Sequence, residues 1–351
     1  MITIRQMTRA DIAAANRLRE LAGWNQTERD WERFLRLSPG GCFVACLEGK
    51  VRGTATTLNY ENRFGWVGMI LVDPECRKQG IGTQLLEAGI DYLERIGVET
   101  VKLDATPMGH SLYLQHGFVD EYGIERWERA RLRIADCGLR IEDSSRMRND
   151  EWGMRNVERH IRHDGISDNG LAEPFQVGGE PEPGFPARNS GSPSIHNPQS
   201  TIRNPQFKLS SPITQEDLER ACTLDRSIFG ADRSELLFLT WRQDPSRSAV
   251  VYSGDDTIGY IFGREGARAY YLGPWVAQDN FAAEQLLSAL LLRLQGQTVY
   301  VDICLENPHA KALVKAAGFT AQRPLTRMYR GWNHHPGQPK YVCGIAGPEL
   351  G

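Results

Sequence analysis

Arg77, Lys78, Gln79, Gly80, Ile81, Gly82 and Thr83 run consecutively between an apolar stretch at 66–72 and an amphipathic one at 84–96. Two cations followed by two glycines one residue apart suit an anion. Glycine reaches backbone angles closed to other residues and has no Cβ to hold a ligand away. A helix starting at that point adds unpaired N–H donors and the positive end of its dipole. The chemistry expected here is a grip on phosphate, with a diphosphate as the natural ligand. Asp73-Pro74 closes the apolar stretch, because proline fixes φ and lacks a ladder donor. The order is therefore strand, loop, helix. The patterns Gly-x-x-x-x-Gly-Lys-Ser/Thr and Gly-x-Gly-x-x-Gly are both absent, which sets aside the common nucleotide loops.

The elements that must position this loop read in order along the first third of the chain. A strand is expected at 2–6, then helices from about Thr8 and from Thr27, each with a capping residue at its start. Strands follow at 42–47, 51–60 and 64–72, the first two joined through Glu48-Gly49-Lys50. By parity, Trp66 and Met69 should point to opposite faces of the last of them. After the loop come a helix, a strand at 98–105, a short helix at 107–115, and a further strand beyond Gly117-Phe118.

Arg77-x-x-Gly80-x-Gly82, followed about 30 residues later by Leu112-Tyr113-Leu-Gln-His-Gly117-Phe118, resembles the two signatures of the GNAT superfamily, the acetyl-CoA-dependent N-acetyltransferases. The resemblance implies acetyl-CoA as acyl donor, no metal, and a primary amine of a small molecule or peptide as acceptor. It implies that Leu71, Val72 and residues 77–83 hold the cofactor, and that Tyr113 lies near the thioester sulfur. Trp24 and Asn25 fall where such proteins build the acceptor side of the cleft, the alternative being an aromatic that anchors a helix-helix turn. A phenol of pKa about 10 keeps its proton at neutral pH and can give it to a departing thiolate of pKa about 8.5. Asp104, Asp120 and Glu121 are candidate bases, each also readable as a structural or surface carboxylate. A non-catalytic acyl-CoA sensor on the same fold is the alternative, since a cofactor grip does not establish turnover.

At 351 residues and 40% hydrophobic, the chain is long enough for two cores. A net charge of −3 argues against a broad nucleic-acid footprint. No run reaches membrane-spanning length and the start is no signal peptide, so a cytoplasmic protein is expected. Seven cysteines without a Cys-x-x-Cys pair read as free thiols.

Residues 133–206 are dense in mixed charge and then in proline, a composition that cannot form a packed core, and are expected to be a disordered linker. From 207 the order of the first half returns: a helix opened by Thr214, a hairpin around Gly254-Asp255-Asp256, a strand at 268–272, a helix at 281–294, a strand at 298–304 and a helix opened by Asn307-Pro308. The segment 273–281, where the first half has its phosphate loop, carries no glycine pair and no cation, so coenzyme A should not bind there. The fold class expected is α/β with a mixed sheet: a GNAT domain at 1–132 and a degenerate GNAT-like domain at 207–351. Gly23-Trp24-Asn25, Phe229-Gly230-Ala-Asp232-Arg233 and Gly347-Pro-Glu-Leu-Gly351 resemble phrases of bacterial two-domain GNAT proteins. That resemblance places Arg233 toward an acceptor cleft, the alternative being that Asp232 and Arg233 only cap and charge the second helix of this half. It also leads one to expect that residues 1–130 alone would bind acetyl-CoA.

Overall fold

The computed structural model describes residues 1–131 and 207–351, so the expected linker lies outside the described residues. The first segment runs β1 (Ile2–Gln6), α1 (Ile12–Leu21), α2 (Glu28–Leu37), β2 (Cys42–Leu47), β3 (Lys50–Tyr60), β4 (Phe64–Val72), α3 (Ile81–Arg95), β5 (Thr100–Ala105), α4 (His110–Gln115) and β6 (Val119–Arg129). The second repeats it: β7 (Phe207–Ser210), α5 (Gln215–Phe229), α6 (Ser234–Gln243), β8 (Ser248–Ser253), β9 (Asp256–Arg264), β10 (Tyr270–Ala277), α7 (Asn280–Arg293), β11 (Val299–Cys304), α8 (Pro308–Ala316) and β12 (Thr320–Gly331), with β13 (Val342–Gly344) added. The helix starts are set by local chemistry. Thr27 and Asp30 form a capping box on α2, and Thr214 and Asp217 form one on α5.

Both segments belong to one compact unit and share a single 13-stranded sheet, in the order β1-β2-β3-β4-β5-β12-β6-β11-β13-β10-β9-β8-β7. The last strand of each half has crossed over. β12 lies between β5 and β6, and β6 reaches β11 of the other half. Two buried ion pairs mark the exchange. Asp104 on β5 faces Arg327 on β12, joined by Nε–Oδ1 and Nη2–Oδ2 bonds of 2.8 and 2.9 Å. Asp302 on β11 faces Arg126 on β6, joined in the same bidentate way at 2.7 and 2.6 Å. A one-residue slip would leave both carboxylates buried without partners, so these pairs fix register. The halves are therefore not separable in the way the sequence suggests.

Two strand expectations change. Trp66 and Met69 face the same core, together with Leu71, Trp31 and Phe34, whereas Val67 packs on the α3 side. The cause is a bulge: Thr56 pairs Gly68 and Thr54 pairs Leu71, so Met69 and Ile70 together oppose Ala55, with Met69 at φ 51°. One extra residue reverses the alternation. In the second half, 273–277 is not loop but the end of β10. Its aromatic and β-branched residues continue the ladder past a bulge at Gly273-Pro274, where proline's missing donor is tolerated.

Candidate active site

The loop after β4 is anchored at its start. The buried Asp73 carboxylate accepts from Arg52 Nη1 at 2.7 Å, from Arg17 Nη1 at 3.1 Å and from the Glu75 N–H at 3.2 Å. One helical turn, Pro74–Cys76, then leads to Arg77, Lys78, Gln79 and Gly80, all exposed. Lys78 and Gly80 both take the left-handed conformation, at φ 60° and 79°, which turns successive N–H groups toward one side. Ile81 is buried beneath the turn and fixes the start of α3. The first α3 bond runs from the Gln84 N–H to the Gly80 carbonyl, so the amides of Ile81, Gly82 and Thr83 have no partner within the helix. Gly82 matters for room rather than conformation. A Cβ there would have only Val72 Cγ2 for a neighbour, at 3.7 Å, and would project at the edge of a cavity that Gly82 lines. Free donors, two exposed cations and a cradle that a side chain would fill are what a diphosphate requires.

The equivalent point of the second half lacks this. Asp279 caps α7 itself, its Oδ1 accepting from the Ala282 N–H at 2.7 Å. One of the donors there is already engaged and a carboxylate repels an anion.

From Gly82 a cavity of about 550 Å³ extends between the splayed β4 and β5. Leu71, Val72, Leu112 and Tyr113 line it, as do Trp24 and Gln26 from the α1–α2 connection. Tyr113 packs edge-on against Phe118, with ring centroids 6.0 Å apart, and its ring lies against Gly109, where a Cβ would come within 2.9 Å. Burial pushes its phenol up to about 12, so it holds its proton at neutral pH.

Three expected site residues have other duties. Asp104 borders the cavity, but its side chain is fully buried and both oxygens are held by Arg327, so it is not free to take a proton. Asn25 is buried and wholly used by the second half: its Nδ2 donates to the Ala269 carbonyl at 3.0 Å, and its Oδ1 accepts from the Arg268 and Ala269 amides. Arg233 is bound bidentately to Asp225, lies 3.8 Å over the Phe229 ring, and donates to the Gly351 main-chain oxygen at 2.8 Å. It holds the closing segment in place and does not face the cavity. The other acidic candidates are also engaged, Asp120 with His110 and Glu121 with Lys102 and Asn333.

The remaining cavity wall comes from residues to which motif reading gave no site role. Arg126 on β6, Arg323 and Leu325 on β12, and Pro348 and Glu349 all contribute. Residues 347–351 are tied to the first half by Tyr60 Oη donating to the Leu350 carbonyl at 2.6 Å and Trp66 Nε1 to the Pro348 carbonyl at 3.0 Å. Glu349 sits directly on the β4 bulge, since a Cβ on Gly68 would lie 3.0 Å from its Cα. Its Oε1 accepts from Arg264 Nη2 at 2.8 Å, within a buried network of Arg264, Asp30 and Arg33.

A profile described as "Acetyltransferase (GNAT) family" matches residues 10–118, and one described as "Acetyltransferase (GNAT) domain" matches residues 221–344. The holothin acyltransferase of a Pseudoalteromonas species is 22% identical over 329 residues, spanning 93% of this chain and 87% of its own. An acetyltransferase candidate from Pyrococcus horikoshii has a TM-score of 0.67 at 20% identity, over 100% of this chain and 96% of its own. A tandem GNAT protein from the clavulanic acid biosynthesis pathway has a TM-score of 0.55 at 15% identity, over 94% and 98%; at such identities the two structures speak to fold alone. With a GNAT match on each half, an acyltransferase relative along nearly its whole length, and tandem architecture in the sheet, this chain belongs to the GNAT superfamily as a two-domain acyltransferase.

Proposed function

We propose that the protein transfers an acetyl group from acetyl-CoA to a primary amine by direct transfer, using the first half's site. The supporting observation is one cavity that joins the Arg77–Gly82 anion loop to the Tyr113 hydroxyl-bearing ring and to Trp24. When bound, acetyl-CoA supplies a thioester acyl group and leaves as the thiol. Arg77, Lys78 and the free amides of 81–83 would hold its diphosphate, and Tyr113 would supply the thiol's proton. The amine must be unprotonated when it attacks. For a lysine-like amine of pKa about 10.4 that costs about 3.4 units, or about 4.6 kcal/mol, at pH 7, so a nearby proton acceptor is useful.

The test is release of free thiol from acetyl-CoA across a panel of amines. Acetyl-CoA binding without thiol release from any amine would leave an acyl-CoA-binding protein instead. Tyr113→Phe is expected to keep acetyl-CoA affinity and to lower kcat about 10²-fold; an unchanged kcat would return Tyr113 to a packing role. Calorimetry should find one acetyl-CoA per chain, because Asp279 closes the second helix terminus. Gly82→Val should weaken binding by about tenfold or more with little change in melting, since its methyls enter the cradle and not the core. Gly80→Val should weaken it through backbone strain at φ 79°.

A further inference from the structure

We infer that the acceptor is a zwitterion, an amine carrying its own carboxylate, held with its ammonium at Glu349 and its carboxylate at Arg323. This rests on the amine-acetylation reading and names its substrate class.

The observations come from the wall that the second half contributes. Glu349 lines the cavity with its side chain 2% exposed, and among the described residues its Oε2 has no hydrogen-bond partner. A buried carboxylate oxygen without a donor is costly, and native proteins seldom leave one so unless a ligand completes it. Gln26, another lining residue, has a buried Oε1 in the same condition. Two acceptor atoms without donors suit a donor-rich group, and an ammonium has three N–H bonds to give; the same buried network leaves Arg33 Nε and Nη2 and Arg264 Nε without acceptors among the described residues. Glu349 abuts Gly68 at the bulge of β4, the strand that flanks the cofactor cleft. The role we infer for Oε2 is proton acceptor: one N–H proton passes to it and the nitrogen keeps the lone pair.

Arg323 shows the opposite deficit. It lines the same cavity half-buried, and among the described residues its guanidinium makes no ion pair. Its pKa lies below arginine's ordinary value because of burial first and the neighbouring Arg126 charge second. Arg126 already gives Nε and Nη2 to Asp302. Two guanidiniums in one wall, one of them without an ion pair among the described residues, favour an incoming anion. Carboxylate acceptor on one side and guanidinium donors on the other match an amino-acid-like molecule rather than a plain amine.

The test uses the full chain and a ladder of ω-amino acids, from glycine through β-alanine and 4-aminobutyrate to 6-aminohexanoate, each paired with its amide. Equilibrium binding is read by saturation-transfer NMR and turnover by thiol release. At least one rung should bind tenfold or more tightly than its amide, and its length would report the spacing between the two ends. Arg323→Gln should erase that preference by raising acceptor KM about 10- to 100-fold, with acetyl-CoA KM unmoved. Glu349→Gln keeps the bond to Arg264 and should lower kcat on every rung, with melting followed to verify folding. Equal binding of acid and amide on all rungs, or Arg323→Gln without effect on the preference, overturns the inference. Binding preference without any thiol release would support the zwitterion site and overturn the acetylation reading, so the two fail separately.

Discussion

Expressed without residues 207–351, the segment 1–131 will not give a monomeric, cooperatively melting protein, and its acetyl-CoA binding will be lost with its fold. Its β5 would have no neighbour on the side that β12 occupies, across six register pairs from Thr326–Ala105 to Gly331–Thr100. An open, apolar strand edge in the middle of a sheet invites association with other chains. Asp104 would be left without Arg327, and breaking a buried ion pair of this kind costs about 3–5 kcal/mol against a total stability of about 5–15 kcal/mol. The core around Trp31 and Trp66 would also lose Ala231, Leu236, Ala346 and Leu350, all supplied by the second half. Co-expression of 1–131 with 207–351 should restore a soluble pair that co-purifies and binds acetyl-CoA. Size-exclusion chromatography and thermal melting decide it: a monomeric 1–131 melting close to the full chain would show that β6 can fold back onto β5 unaided.

The second large effect is on Arg327. Arg327→Met should lower stability by about 3–5 kcal/mol, a fall in Tm of roughly 10 °C for a unit of this size. The guanidinium bonds Asp104 through two nitrogens and Tyr122 through the third at 2.6 Å, and lies 4.6 Å over the Trp66 ring. Burial by itself raises the Asp104 pKa, with Arg327 the main opposing influence, so removing the arginine leaves a carboxyl that must take a proton or be exposed. Replacing both members, Asp104→Leu with Arg327→Met, should recover most of the loss, because two apolar groups need no partners. A double variant no more stable than Arg327→Met alone would show that the cost lies in packing on Trp66 and Tyr122 and not in the orphaned charge.

What the sequence determined by itself was what residues a few positions apart determine. The left-handed Gly80, the end of β4 at Asp73-Pro74, the capping boxes at Thr27 and Thr214, and the period of strands and helices in both halves are all set within one turn of chain. The anion loop was legible for that reason, as was its failure in the second half, where Asp279 caps its own helix. The bulge at Met69 was not, because one extra residue leaves no mark in the composition of a uniformly apolar strand.

Tertiary structure alone decided the wall of the cavity opposite the anion loop. Asn25, Asp104 and Arg233 are polar residues at plausible positions, and sequence offers no means of telling a ligand-seeking side chain from one whose partner lies 244, 223 or 118 residues away. Nor does strand periodicity say which sheet a strand joins, so the exchange of β6 and β12 is invisible until Arg126 meets Asp302 and Arg327 meets Asp104. Glu349 belongs to no periodic element. Beyond the phrase at 347–351, its local sign is Gly347, at φ 148°, where a Cβ would lie 2.8 Å from both Arg264 Nη2 and Glu349 Oε1. That glycine is required by a contact with a residue 83 positions earlier in the chain, between Gly347 and Arg264. Local chemistry wrote the anion loop into the sequence, and long-range packing supplied the opposite wall of the cavity.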